Sequence, residues 1–229
     1  MNVEGGIYVQ ALALGLDPAW RRRPDDERRD DARELAQAEA SAQRDGVRST
    51  AYSSIGLQPA VDLLLWRLGP SLDVLETAAA GLLRAGLGRW LTARHVLIGR
   101  IGPSQYVKKQ TDQEQSLLSG ERSRYLVVYP FIKSTDWYLL SREARQGVMN
   151  EHMRVGHEYP SVRQALAYSF GLDDQDFVVA YETDDLAAFG ELVRELRGTE
   201  SRRSTVSDTP ILLGIQRPLD EILALLGAP

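Results

Sequence analysis

Ile55-Gly56-Leu57 and Val96-Leu97-Ile98-Gly99 return later in the chain as Phe170-Gly171-Leu172 and Ile211-Leu212-Leu213-Gly214. Both glycine pairs, 56 with 171 and 99 with 214, are 115 residues apart. Trp20 and Trp137, each ahead of a charged helical stretch, are 117 apart. A repeat of that length is a duplicated domain rather than a solenoid unit. Carrying the tryptophan offset forward sets His152 of the second copy against Leu35 of the first. That one difference predicts a working half and a structural half.

The pattern around these anchors predicts the same order of elements twice. In the first copy, strands are expected at 7–16, 47–55, 60–67 and 91–101, with helices at 18–42 and 71–85. The hairpin is expected across Gly56-Leu57-Gln58-Pro59. In the second copy, strands are expected at 124–133, 161–170, 176–183 and 209–215, with helices at 136–158 and 184–197 and a terminal helix at 218–226. The order β-α-β-β-α-β is the ferredoxin-like plan. The expected class is therefore α+β, with tandem ferredoxin-like units forming an α+β barrel. The expected boundaries are 1–102, a linker or mobile loop at 103–123, and 124–229. The mixed-charge run Arg21 to Asp31 reads as a solvated helix face with oppositely charged neighbours.

Composition removes several classes of function. The 229-residue chain has a net charge of −5 and so lacks the basic surface that nucleic acid requires. It has no cysteine, which excludes disulfides, zinc–thiolate sites and thiolate catalysis. Met1-Asn2-Val3-Glu4-Gly5-Gly6 lacks the basic start and apolar run of a signal peptide. No apolar stretch approaches the ~20 residues that span a bilayer. The expectation is a soluble, cytoplasmic protein without nucleic-acid or membrane partners.

Side-chain periodicity directs a few polar residues into an apolar interior. Strand alternation puts Tyr125, Val127, Tyr129, Phe131 and Lys133 on one face. It likewise groups Val162, Gln164, Leu166, Tyr168 and Phe170, with Gln164 the lone amide. Helical spacing aligns Leu140, Ala144, Val148, His152 and Val155. Tyr129, Lys133, His152 and Gln164 thus converge on one candidate cavity. Each also has an ordinary reading: a hydrogen-bonded core histidine, a glutamine capping the backbone, a lysine snorkelling to solvent, a core tyrosine. His152 and His157 lie about 140° apart on a helix, so they do not form a two-histidine metal site. With three histidines and no cysteine, a dedicated zinc or copper site is not indicated. A single inward imidazole in an apolar cavity with a cationic rim does suit haem, which needs an axial ligand, apolar walls and partners for its propionates.

The residues Tyr129-Pro130-Phe131-Ile132-Lys133, Trp137-Tyr138-Leu139-Leu140, Met149-Asn150-Glu151-His152, Gly156-His157-Glu158-Tyr159-Pro160 and Ser169-Phe170-Gly171-Leu172-Asp173-Asp174 resemble the chlorite dismutase superfamily. That superfamily includes the coproheme decarboxylases of haem synthesis. Pro218 to Leu223 resembles its C-terminal end. The resemblance is specific over 124–226 and rests on the duplication over 1–102. It implies haem b or coproheme in the second unit only, with His152 as proximal iron ligand and Lys133, Trp137 and Tyr138 in the cofactor-binding set. It implies Tyr129 and Gln164 as the catalytic pair, Gln164 standing where true chlorite dismutases place an arginine. It also implies a homopentamer.

By the resemblance, peroxide-dependent decarboxylation of coproheme is the leading reading. Tyr129 would pass an electron to the oxidised centre, and its radical would take hydrogen from a propionate. Loss of CO₂ would then leave a vinyl group. The alternatives are a chlorite-degrading or peroxidase-like haem enzyme and a non-catalytic haem carrier or sensor. The spacing of 12 from His152 to Gln164 is one residue shorter than in common members, and Phe177 to Leu186 looks closer to the chlorite dismutase side.

Overall fold

The computed structural model describes residues 6–104, 106 and 122–229. Most of the expected 103–123 linker therefore lies outside the described residues. The chain packs as two compact units, 1–101 with 212–229, and 102–211.

The first unit is built on four strands: β1 (Ile7–Leu16), β2 (Arg48–Gln58), β3 (Val61–Gly69) and β4 (Leu91–Ile101). They lie antiparallel in the order β4-β1-β3-β2, with Leu12 opposite both Leu65 and Val96. This is the ferredoxin-like order the repeat predicted. Two helices, α1 (Asp25–Arg44) and α2 (Leu72–Arg84), supply the apolar cover. Leu12, Leu14, Leu35, Leu63, Leu65 and Trp20 form its core. Strand parity explains which residues enter, because alternate positions of β1 and β3 share that face.

Three expectations for this unit are corrected. The helix expected at 18–42 breaks at Pro24, which caps α1 after a short 3-10 turn over Pro18–Arg22. Proline disfavours helical backbone in the residue before it, and Arg23 is extended. The hairpin turns at Pro59-Ala60, because Gly56 (φ 71°) sits in an irregularity that lets β2 run on to Gln58. The charged run does more than face solvent. Arg21 Nε donates to the carbonyl of Leu226, and Arg28 donates to that of Gly227.

The domain boundary is also corrected. Sequence placed 124–229 in one unit, yet residues 212–229 pack with the first. Strand β9 (Leu212–Gln216) pairs antiparallel with β2, Tyr52 opposite Gln216. Ser54 Oγ donates to the Leu213 carbonyl at 2.8 Å. The terminal helix, numbered α6 here (Leu219–Leu226), buries Ile222, Leu223 and Leu226 in the core that holds Leu35.

The second unit contains β5 (Tyr125–Lys133), α3 (Thr135–Leu139), α4 (Arg142–His157), β6 (Arg163–Tyr168), β7 (Phe177–Thr183), α5 (Leu186–Leu196) and β8 (Thr205–Ser207). The strands β6, β7 and β5 pair antiparallel in that order, and β8 pairs with the end of β5. The strand β8 had no counterpart in the sequence reading. The helix expected at 136–158 is two helices. Leu140 is extended, and Ser141 Oγ accepts from the Ala144 amide at 3.2 Å, capping α4. Leu140 therefore leaves the histidine stripe; Ala144 is exposed, and the stripe runs through half-buried Arg145, Val148 and His152 to buried Val155.

The sheet-edge contact of β9 yields a direct test. A Cβ on Gly214 would lie 2.6 Å from Tyr52 Cβ, well inside contact distance. Gly214→Val should lower stability by about 1–3 kcal/mol through overpacking, read by denaturant unfolding. An unchanged midpoint would contradict the packing of β9 on β2.

Candidate functional site

The site residues are placed by strand register in the second unit. Val127 and Gln164 both lie opposite Tyr181, while Tyr129 and Leu166 lie opposite Val179. Tyr129, Gln164, Tyr181 and Val179 thus share one sheet face, as parity predicted for the first two. Val155 of α4 and Phe189 and Leu192 of α5 pack on that face with Tyr129 and Tyr181. Val155 and His152, three residues apart on α4, look the same way. The cover is partial: Leu166, on the same sheet face, is 45 % exposed.

His152 carries the clearest electrostatic signature. Burial, and then the Lys133 ammonium, lower its pKa to about 4, while Glu151 opposes the shift. The ring is therefore neutral at physiological pH. Its Nδ1 is buried with no hydrogen-bond partner among the described residues. A neutral imidazole is the form that ligates a metal.

Lys133 ends β5 and is buried, not snorkelling. Its Nζ donates to the Ser201 carbonyl at 3.0 Å and to Ser201 Oγ at 2.9 Å. The same nitrogen stands 4.4 Å from the centre of the Trp137 ring. Burial and the nearby Arg202 lower its pKa to about 8. It remains mostly protonated at neutral pH. Two of three ammonium donors are used, so one remains among the described contacts.

Tyr129 stacks on Tyr181 with ring centroids 6.1 Å apart. Burial, followed by the Tyr181 hydroxyl, holds the Tyr129 phenol well above the ordinary tyrosine range. Burial raises the Tyr181 phenol as well, so both hydroxyls stay protonated. Trp137 is buried in α3, whose cap is Ser134. Tyr138 points elsewhere, with its ring edge on Phe170 at 5.9 Å. Burial and a hydrogen bond to Asp176 raise its pKa.

The structure therefore groups His152, Lys133 and Trp137, and separately Tyr129, Tyr181 and Gln164, on one face of one unit. Lys133 and Tyr129 are four residues apart on the strand, about 13 Å. Sequence reasoning missed Tyr181, although the alternation of Phe177, Val179 and Tyr181 along β7 carried the signal. It also missed Ser201, which precedes the short strand β8 and has no periodic signature. Among the described residues, no three His, Cys, Asp or Glu side chains cluster as a metal site. No helix of the described residues is long and apolar enough to cross a membrane.

A haem-type ligand set fits these residues. The unpartnered, uncharged imidazole supplies an axial donor, the sheet face supplies apolar walls, and Lys133 supplies a buried cation. The chain belongs to the chlorite dismutase family, whose family model matches residues 28–217. It is 29% identical over 175 residues to a coproheme decarboxylase from Mycolicibacterium smegmatis, covering 76% of this chain and 74% of that one. It is 28% identical over 214 residues to a coproheme decarboxylase from Staphylococcus carnosus, covering 86% of each. A mutant chlorite dismutase from Candidatus Nitrospira defluvii superposes with a TM-score of 0.89 at 29% identity, over 98% of this chain and 97% of that one. The α+β fold is the one those structures share.

The buried imidazole predicts a pH signature of the ligand-free protein. The unfolded ring takes up a proton near 6.5, and the folded ring only near 4. Between these values the unfolded state binds more protons, so stability falls as pH falls. Relative to His152→Leu, the wild type should lose up to roughly 3 kcal/mol from pH 6.5 to pH 4. Parallel urea curves at each pH measure the difference, and a difference that does not vary with pH contradicts the buried neutral ring.

Proposed function

We propose that this protein is a tetrapyrrole-binding oxidoreductase that decarboxylates coproheme to haem b with peroxide as oxidant. The observation that carries the reading is the buried neutral imidazole of His152, on a helix packed over the sheet face that holds Tyr129. Family membership and the names of the two curated relatives support it. Per propionate, the reaction releases CO₂, leaves a vinyl group and reduces one peroxide to two waters. Bound through its iron, the tetrapyrrole supplies the redox chemistry.

The roles of the chain's own residues follow from their surroundings. His152 offers a lone pair that no proton occupies near pH 7. Nδ1 has no partner among the described residues, so none of them strengthens the donor by the hydrogen bond that metal-bound histidines usually make. Lys133 is positioned by Ser201 and Trp137 and keeps one donor for a carboxylate. Tyr129 keeps its proton against burial, and its ring stacks on Tyr181, whose phenol is likewise held protonated, so the oxidisable phenol sits beside a neutral neighbour. Gln164 is uncharged and so supplies no fixed positive charge for holding an oxyanion. That disfavours efficient chlorite degradation as the main activity. We further propose cytoplasmic residence and a homopentamer.

Incubation with iron coproporphyrin and peroxide should give the mono- and divinyl products by mass spectrometry. Tyr129→Phe should abolish them. Tyr181→Phe should slow them less, since it removes only the hydroxyl beside that phenol and keeps the stacked ring. Product formation by Tyr129→Phe at the wild-type rate would remove the assigned role. Oxygen release from chlorite with no vinyl product would favour the second reading.

A further inference from the structure

The corrected stripe on α4 contains a cation that the roles above leave unused. Arg145 precedes His152 by seven residues, which is two helical turns, ~10 Å along the axis and ~20° of rotation. That offset is on the scale of the distance from a porphyrin centre to the ends of its acid side arms. Arg145 lines a cavity of about 270 Å³ whose described walls are Ser104, Tyr106, Arg142 and Arg145. Its Nε is buried with no hydrogen-bond partner among the described residues. A buried guanidinium N–H without an acceptor is costly unless a ligand or water supplies one.

The surroundings are built to receive an anion. Tyr106 is held by its carbonyl, which accepts from Gln146 Nε2 at 3.3 Å, and by its ring against Trp137, centroids 6.5 Å apart. Burial raises the Tyr106 phenol, so the hydroxyl remains a donor. The charge of Arg145 reaches the hydroxyls of both Tyr106 and Tyr138. Two acids lie nearby. Asp176 accepts from the Tyr138 hydroxyl, and exposed Glu143 bonds back to the Ser141 cap. Neither is among the described walls of the cavity. The volume falls below the roughly 300–1,000 Å³ of pockets for whole drug-sized ligands, which favours a carboxylate arm over a ring.

We propose that Arg145, with Arg142 and the Tyr106 hydroxyl, binds one carboxylate of the tetrapyrrole and thereby selects a four-carboxylate porphyrin over a two-carboxylate one. This rests on the tetrapyrrole reading of the unit. With one acid arm at Tyr129 and one at Lys133, a dicarboxylate has none left for Arg145. A tetracarboxylate has arms for all three, and guanidinium–carboxylate pairing makes Arg145 selective.

Metal-free porphyrins separate this anchor from iron ligation and turnover. Quenching of tryptophan fluorescence in the full chain is titrated with coproporphyrin and with protoporphyrin. Arg145→Gln should weaken coproporphyrin binding by about tenfold or more, the scale of a lost charged hydrogen bond. Protoporphyrin binding should change by less than about threefold. Arg145→Lys should recover part of the loss, and the thermal midpoints should match. Equal effects on both porphyrins, or none on either, overturn the assignment. They do so also if the pocket serves a free small anion. Wild type that binds both porphyrins while Arg145→Gln binds them identically fails this proposal alone. Wild type that binds neither of these nor iron coproporphyrin fails the tetrapyrrole reading with it.

Discussion

The site depends on one half-buried, uncharged imidazole whose Nδ1 is shut off from water. Burial and the Lys133 ammonium both oppose a proton on His152, and Glu151 only partly offsets them. The ring is polar, so its Nδ1 remains unsatisfied among the described residues. Local structure sustains this arrangement. Ser141 restarts the helix after the extended Leu140, which sets the register that faces His152 with Val155 toward the sheet. Ser201 and the Trp137 ring hold the lysine cation at the end of β5.

The duplicated framework is filled in two ways. In the first unit Leu35 occupies the position on α1 that His152 occupies on α4, and it is fully buried among leucines and Trp20. Arg67, opposite Gln10 on the sheet, forms a buried ion pair with Glu39, while Gln10 Oε1, Glu39 Oε1 and the Nε of Arg67 have no partner among the described residues. Removing either partner of such a pair strands a charge, so it serves the first unit's own packing. In the second unit the same plan carries an imidazole whose Nδ1 has no partner among the described residues, a tyrosine pair and a half-exposed Leu166. One half closes its leucines and Trp20 into a core, and the other leaves apolar surface open at Leu166.

Much of this was legible in the chain. Alternation along the strands gave the shared face of Tyr129 and Gln164, and the repeat gave the contrast of Leu35 with His152. Local signals also had the caps, since Pro24 and Ser141 are a helix breaker and a helix starter, although both helices were read through them. What escaped was long-range. Nothing periodic marks Ser201 as the acceptor for Lys133, because that contact joins residues 68 apart. The strand from Leu212 looked like the end of the second copy, yet its pairing with Tyr52 and Ser53 places it in the first unit. Arg145 was hidden because a continuous helix from 136 assigned its place on the stripe to Leu140 and Ala144.

The most direct test of the account is an absorption titration of the protein with iron coproporphyrin, compared with His152→Ala. The wild type should give a saturable, shifted Soret band of a histidine-ligated iron. His152→Ala should still bind the porphyrin but lack that band, and added imidazole should restore it. Identical spectra for the two proteins would contradict the assignment of His152 as the axial donor.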